Sequence, residues 1–153
     1  MALTSTIALD LVNQTQTLTY FEGASQIDQI TFSSNSVTFG NTSGFNLSKS
    51  DLILYNNLFQ IWFTALVLNF PTISITSLVK LQLSNFQISI TSLGITHINY
   101  IQSSLGSVVN TINYVPVAIA ASFSARSTIS ISLQELYLMQ DLLQKFTNQV
   151  AFN

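Results

Sequence analysis

The chain has 153 residues, of which only 4 are basic and 6 acidic, so that 7% carry a charge against roughly 25% in an ordinary soluble domain. The basic residues, Lys49, Lys80, Arg126 and Lys145, are spread along the chain. Nucleic-acid binding needs clustered Lys and Arg that neutralise several phosphates. We therefore expect no direct contact with nucleic acid. The absence of cysteine excludes disulfide bonds, thiolate metal sites and thiol nucleophiles.

Nearly all other residues are uncharged, either polar or hydrophobic. Ser, Thr, Asn and Gln account for 62 residues, and hydrophobic residues make up 48%, which is too much for a disordered chain. The first residues have no basic segment followed by an apolar run, so we expect no signal peptide. The most apolar stretch, Leu58–Leu68, is about half of the ~20 residues that a spanning helix needs, and Pro71 follows it. These features predict a single domain over 1–153 without a membrane span.

Alternation of apolar and polar residues with period 2 predicts strands along most of the chain. Turn residues such as Gly23, the Gly40–Gly44 cluster and Ser103–Gly106 separate the runs. At least eight short strands in this arrangement indicate a mainly β fold, an antiparallel β-sandwich of the single jelly-roll type. The predicted strands are Thr6–Leu11, Gln16–Phe21, Ile27–Phe32, Val37–Phe39, Thr72–Leu83, Phe86–Thr91, Ile95–Ile101, Val108–Phe123 and Thr128–Ser132.

Two segments have helical spacing instead. An apolar stripe at intervals of three and four residues predicts a C-terminal helix near 133–148, and Ser132 with Glu135 fits a capping box at its start. Leu52, Tyr55 and Phe59 have the same spacing behind Ser50. We interpret this as a short helix near 50–58, which a strand at Phe59–Phe63 follows; a buried strand that leads into Phe59–Phe63 is the alternative.

No arrangement of reactive side chains predicts a catalytic, cofactor-binding or metal site. His97 is the one histidine, and the nearest acidic residue in the sequence, Glu135, is 38 residues away, so the sequence does not indicate a base with an orienting carboxylate. The carboxylates form no acid/base pair or Ca²⁺-binding loop: they are Asp10, Glu22, Asp28, Asp51, Glu135 and Asp141. We expect that the protein is not an enzyme and needs no cofactor.

The aromatic residues Phe59, Trp62, Phe63 and Phe70 leave two interpretations open. They could line a sugar or lipid site, or they could pack in the core. Core packing is favoured, because aromatic side chains dominate cores through their area.

A surface with so few charges suits two conditions. Buried contacts between subunits favour neutral side chains, since buried charges are costly to desolvate. An acidic environment also favours them, because Asp and Glu lose their charge at low pH while Ser, Thr, Asn and Gln are unchanged. The composition therefore predicts a self-assembling, acid-stable structural protein.

In length, strand count, Ser/Thr/Asn richness and lack of charge, the chain resembles the small single jelly-roll capsid proteins of icosahedral viruses, notably viruses of hot-acid archaea. The resemblance extends loosely over the whole chain, and no specific motif carries it. It implies a fold of two packed four-stranded sheets, many copies tiling a shell, and no catalytic residues. The expected partners are copies of the chain itself, with or without a second coat protein, and the expected location is the virion.

Two other functions stay open from the sequence. The first is a secreted filament or pilin subunit of an acidophile, in which Leu3–Val12 would complete the sheet of the next subunit. The second is a carbohydrate-binding β-sandwich on a spike, which would use the Tyr and Trp residues.

Overall fold

The structure is a computed structural model that describes residues 3–33, 36–39, 43–70, 86–92, 98–104, 107–124 and 130–152. In these residues the fold is mainly β, with strands in two antiparallel sheets and two helices. The strands are β1 Leu3–Asp10, β2 Thr15–Glu22, β3 Ser25–Ser33, β4 Ser36–Phe39, β5 Phe45–Ser48, β6 Phe86–Ser92, β7 Ile98–Ser104, β8 Ser107–Val115, β9 Ala120–Phe123 and β10 Ser130–Ser132. The helices are α1 Lys49–Asn69 and α2 Leu133–Ala151.

The first sheet has the order β1-β2-β3-β4-β10, so four strands that are consecutive in the chain form a meander and the distant β10 joins it. β1 pairs with β2 over its whole length, from Leu3 opposite Glu22 to Asp10 opposite Thr15, without a bulge. The turn between β2 and β3 places Gly23 at a φ of 62°, a conformation that glycine adopts without a steric penalty.

The second sheet has the order β5-β9-β8-β7-β6. It is also a meander, formed by β6 to β9 with β5 added beside β9. A register shift lies between Gln102 and Ser103 on β7, opposite β8. The jelly-roll arrangement of strands is not confirmed by these two orders.

The short helix predicted near 50–58 is the first part of a longer helix, α1, and the predicted strand at Phe59–Phe63 is wrong. A single 21-residue helix runs from Lys49 to Asn69. Ser48 caps it, since its hydroxyl accepts the N–H of Asp51 at 3.2 Å, and Asp51 adds negative charge to the first turn, where the helix dipole favours it. Apolar residues on nearly every face of α1 conceal its 3.6-residue period in the sequence.

The predicted C-terminal helix near 133–148 is confirmed and extends to Ala151 as α2. The predicted apolar stripe is buried: Leu136, Met139, Leu143, Phe146 and Val150 are each at most 1% exposed. The capping box at Ser132 and Glu135 lies outside the described side chains.

Both helices contact strands of both sheets. α1 packs on β1 and β2 of the first sheet and on β5 and β9 of the second, while α2 packs on β4 and β10 and on β6 and β7. Tyr55 of α1 shows this bridging directly, because its ring stacks on Tyr20 of β2 at 4.2 Å and lies 5.0 Å from Phe123 of β9. One hydrophobic core therefore contains residues of both helices and of both sheets.

Most predicted strands are found close to their predicted positions. The predicted strand Val108–Phe123 is two strands, β8 and β9, with a turn at residues 116–119. The four-residue β5 was not predicted. The clearest alternating run, Thr72–Leu83, lies outside the described residues.

Candidate functional site: the β1 edge and the outer face of α1

β1 forms one edge of the first sheet, and among the described residues no strand pairs with its other side. Such an edge carries a row of backbone N–H and C=O groups that another strand can bind. Proteins usually protect exposed edges with Lys, Pro or bulges. β1 has none of these, and Asp10 at its end is its one charged residue.

The direction of these backbone groups follows from one hydrogen bond. The N–H of Leu3 donates to the Asp51 carboxylate at 3.4 Å, so it does not point at β2. Residues two apart in a strand direct their N–H and C=O groups to the same side. The backbone groups of Ser5, Ile7 and Leu9 therefore point outward from the sheet edge.

Large aliphatic side chains are exposed along the same edge. Ile7 and Leu9 are 40% and 43% exposed, and Leu11 and Val12 in the following turn are more exposed still. Ile7 lies opposite Leu18, and Leu9 lies opposite Gln16. Because opposed residues of an antiparallel pair share a face and Leu18 and Gln16 are buried, Ile7 and Leu9 lie on the core side of the sheet. The core packing therefore covers the side chains of Ile7 and Leu9 only in part.

The turn after β1 is held by the side chain of Asp10. Its carboxylate accepts the backbone N–H groups of Val12 and Asn13, both at 3.1 Å, and the Asn13 side-chain amide at 2.7 Å. The Asn13 backbone bond, followed by the Asn13 amide and the Val12 backbone bond, holds the pKa of Asp10 below its ordinary value. The apolar Leu11 and Val12 thus lie in a turn that these three hydrogen bonds hold.

The outer face of α1 carries a second apolar surface, which we call the α1 stripe. It is formed by Leu54, Leu58, Ile61, Ala65 and Leu68, which recur at intervals of four and three residues and so share one side of a helix. The stripe becomes more exposed toward the end of the helix, where Leu68 is 75% exposed. Gln60, Ile61, Thr64, Ala65 and Leu68 line an open, predominantly apolar groove of about 400 Å³.

Hydrogen bonds on both flanks fix the rotation of α1. On one flank, Asp51 is bonded to β1, and Asn69 donates to Gln16 of β2 at 2.9 Å. On the other flank, Asn56 and Gln60 donate to α2 at 2.9 and 3.1 Å. At 100° per residue, Leu58 lies about 20° from Asp51 around the helix, and Ala65 lies about 40° from Asn69. The α1 stripe therefore runs along the side of α1 that is next to β1.

Buried polar groups join α1 to the first sheet. The Asp28 carboxylate on β3 is fully buried and accepts the Tyr55 hydroxyl at 2.7 Å and the Gln29 N–H at 2.9 Å. Tyr20 donates to the Tyr55 carbonyl at 2.9 Å. Gln16 donates to the Trp62 carbonyl, also at 2.9 Å. These bonds satisfy polar groups that would be costly to bury alone, and they fix the helix on the sheet.

The predicted absence of a catalytic centre stays a prediction. Asp51 and Glu22 both lie beside Leu3, and Asp141 forms a surface ion pair with Lys145 at 3.0 Å. His97 and the side chain of Glu135 lie outside the described part of the chain. No cluster of three or more His, Asp or Glu side chains that could hold a metal ion occurs among the described residues.

The aromatic residues considered for a sugar site lie mainly in the interior. Phe59 and Trp62 are completely buried, Phe70 is 9% exposed, and Phe63 is partly buried with its ring 6.3 Å from that of Tyr137. This arrangement is core packing and provides no exposed aromatic platform from these four residues.

Among the described residues, four buried polar atoms have no hydrogen-bond partner: Trp62 Nε1, Asn110 Oδ1, Asn113 Oδ1 and the Tyr114 hydroxyl. Three of them are on β8 in the second sheet. Burial raises the pKa of Tyr114, as expected for a group whose ionised form would be poorly solvated.

By length and composition alone, α1 is one helix that could cross a membrane, which the sequence did not predict. The criterion is weak, because a core helix also meets it. One side of α1 does pack in the core, through Leu52, Tyr55, Phe59, Trp62 and Leu66. The absence of a membrane span stays a prediction.

Comparison of the chain with family models, curated proteins and solved structures found no match.

The filament hypothesis named Leu3–Val12 as a strand to be donated to another subunit, which stays a prediction, and the sequence did not predict the β1 edge, the α1 stripe or the role of Asp28. The sequence does contain a signal for the burial of Asp28. Asp28 lies two residues before Ile30 and four before Phe32, in phase with the buried positions of β3.

Proposed function

We propose that the protein is a self-associating structural subunit whose assembled form is the protein shell of a virus. The observation that carries the proposal is the β1 edge, which no strand of the described residues covers and along which Ile7 and Leu9 are exposed. Exposed aliphatic area favours association by roughly 25 cal/mol per Å² removed from water. In a chain with 7% charged residues, weak charge repulsion opposes association little.

The neutral composition supports the same proposal. Side chains of Ser, Thr, Asn and Gln enter an interface without the cost of desolvating an ion, and they keep their hydrogen bonds in acid. Only 6 carboxylates are present, so few groups change charge between neutral and acidic pH. The proposed shell is therefore stable from neutrality to about pH 2–3, below the ordinary carboxyl pKa of about 4.

The jelly-roll form of the proposal needs strands that alternate between two face-to-face sheets. The described order, two meanders with one added strand each, lends no support to that detail. The two antiparallel sheets support a β coat subunit in the broader sense. Its proposed partners are copies of itself, with a second coat protein as an open alternative, and its proposed location is the virion, without direct contact to the genome.

A filament is the second candidate, because an exposed strand edge can also pair head to tail and form an open helical array. Donation of Leu3–Val12 to a neighbour would require β1 to leave β2, with which it is paired along its whole length. A carbohydrate-binding spike is the least supported, since Phe59 and Trp62 are buried.

Electron microscopy of the native material at pH 7 separates these functions. Closed shells of uniform size support the proposed capsid function, and long filaments would replace it with the second candidate. Dispersed particles the size of a single 16.9 kDa chain would contradict both.

A further inference from the structure

We propose that two copies of the chain pair through β1, antiparallel and across a twofold axis at Ile7, so that their first sheets join into one sheet. This inference rests on the proposed self-assembly and names its contact. The occupant of the edge must be an extended strand, because Ser5, Ile7 and Leu9 direct their backbone groups outward.

The Leu3–Asp51 hydrogen bond selects the register. With the axis at Ile7, Ser5 pairs with Leu9 of the copy and Ile7 pairs with Ile7, so every outward backbone group from Ser5 to Leu9 has a partner. With the axis at Thr6, Leu9 would need the N–H of Leu3, which already donates to Asp51 at 3.4 Å. The axis at Ile7 leaves that bond intact.

Symmetry makes the side chains of the two copies compatible. When a twofold axis perpendicular to the sheet relates two strands, the core-facing side chains of both copies project from the same side of the joined sheet. Ile7 and Leu9 of one copy then extend the aliphatic surface of the other, and Thr6 faces Ala8. The exposed ends of the two α1 stripes lie on that same side of the joined sheet.

The charge pattern is compatible with a second copy as the partner. Asp10 is the one charge in β1, and the antiparallel arrangement places it opposite Thr4 of the copy. The two Asp10 residues are then six positions apart, about 20 Å at 3.4 Å per residue. This exceeds the Debye length of about 8 Å at physiological ionic strength, so their repulsion is small.

Single cysteines test the pairing, because the chain contains no other thiol. Opposed residues at the axis have Cα atoms about 5.5 Å apart, within the 4.4–6.8 Å that a disulfide spans. Under oxidised glutathione, Ile7→Cys is expected to give a covalent dimer on a non-reducing gel at least tenfold faster than Thr6→Cys. The matched control is Val117→Cys in the β8–β9 turn, which is 88% exposed and is expected to stay monomeric on the gel.

Lysine variants test the same contact without a covalent bond. Ile7→Lys places two charges together at the axis and is expected to lose assembly in sedimentation, whereas Val117→Lys adds the same charge elsewhere and is expected to assemble. Circular dichroism is measured on both variants to establish that each is folded. If Ile7→Lys assembles like the wild type, or Ile7→Cys crosslinks no faster than Val117→Cys, the β1 pairing is wrong.

Wild-type behaviour distinguishes failure of this inference from failure of the proposed function. An assembled wild type with no crosslink at Ile7 contradicts the β1 contact alone. A monomeric wild type contradicts self-assembly itself. If that monomer floats with phosphatidylcholine–phosphatidylglycerol vesicles, the apolar edge binds a membrane, which also overturns the inference.

Discussion

The hydroxyl of Tyr55 on α1 donates a 2.7 Å hydrogen bond to the carboxylate of Asp28, which is completely buried on β3. The Tyr55 ring stacks on Tyr20 of the first sheet and lies against Phe123 of the second. Tyr55 therefore joins the helix to both sheets and provides one of the hydrogen bonds that make burial of Asp28 tolerable.

Removal of the Tyr55 hydroxyl is expected to destabilise the fold. Tyr55→Phe keeps the ring but leaves one Asp28 oxygen without this donor, which lowers the free energy of unfolding by about 1–3 kcal/mol. Tyr137→Phe is the control, since Tyr137 is a partly buried ring on α2, and its effect is expected to stay within about 0.5 kcal/mol. Urea unfolding followed by circular dichroism measures both. Equal changes in the two variants would contradict the importance of the Tyr55–Asp28 bond.

The opposite result is expected for Tyr114, whose buried hydroxyl has no hydrogen-bond partner in the described part of the chain. Tyr114→Phe removes an unsatisfied polar group, so the free energy of unfolding is expected to stay constant or rise by about 1 kcal/mol. Because burial raises the folded-state pKa of Tyr114, ionisation costs the fold no stability below the unfolded-state pKa of 10.0, and stability is lost as the pH rises from there through the higher folded-state pKa. Tyr114→Phe should therefore reduce the loss of stability in alkali. Urea unfolding at pH 7 and pH 11 checks both parts, and a large destabilisation at pH 7 would contradict them.

Asp10 is expected to contribute to the acid limit of stability. Its folded-state pKa is lowered by the Asn13 bonds, so its stabilising contribution is present above the unfolded value of 3.8 and is lost as the pH falls through the folded-state pKa. Asp10→Asn keeps an acceptor oxygen but does not titrate, and it should flatten the thermal stability profile between pH 5 and pH 2. Glu22→Gln, at the other end of the same hairpin, controls for the loss of one charge. An unchanged profile in Asp10→Asn would show that the turn bonds do not couple to pH.

Ile119 in the β8–β9 turn has a φ of 54°, which costs a β-branched residue roughly 1–2 kcal/mol. Ile119→Gly relieves this strain but adds about 0.5–1 kcal/mol of backbone entropy cost. The expected result is unchanged or slightly higher thermal stability. Val117→Gly, in the same turn without a positive φ, is expected to be less stable by the entropy cost alone. A larger loss in Ile119→Gly than in Val117→Gly would contradict strain at Ile119.

Strand positions were largely predictable from the sequence, whereas the continuation of α1 beyond residue 58 was not. In β2 and β3 one face is buried and the other is partly exposed, so apolar and polar residues alternate. In α1 the buried side contains Phe59 and Trp62, and the outer side contains Ile61 and Leu68. With apolar residues on both sides, Phe59–Phe63 resembles a strand, and only the long continuous helix shows the true spacing.

The buried polar contacts could not be predicted from the sequence either. Gln16 and Asp28 occupy inward positions of β2 and β3, but they are buried because α1 brings the Trp62 carbonyl and the Tyr55 hydroxyl against them. The residue pattern along one strand does not reveal a hydrogen-bond partner that another element supplies. The strand at the edge was predicted, since Thr6–Leu11 alternates by itself and overlaps β1, but its position at the edge depends on the strand order and was not predicted.

Sedimentation velocity of the wild-type protein at pH 7 and pH 3 tests the proposed structural role most directly. A self-associating, acid-stable subunit sediments as a large assembly at both pH values. A single 16.9 kDa species at both would contradict the structural role, and dissociation at pH 3 would contradict its acid stability.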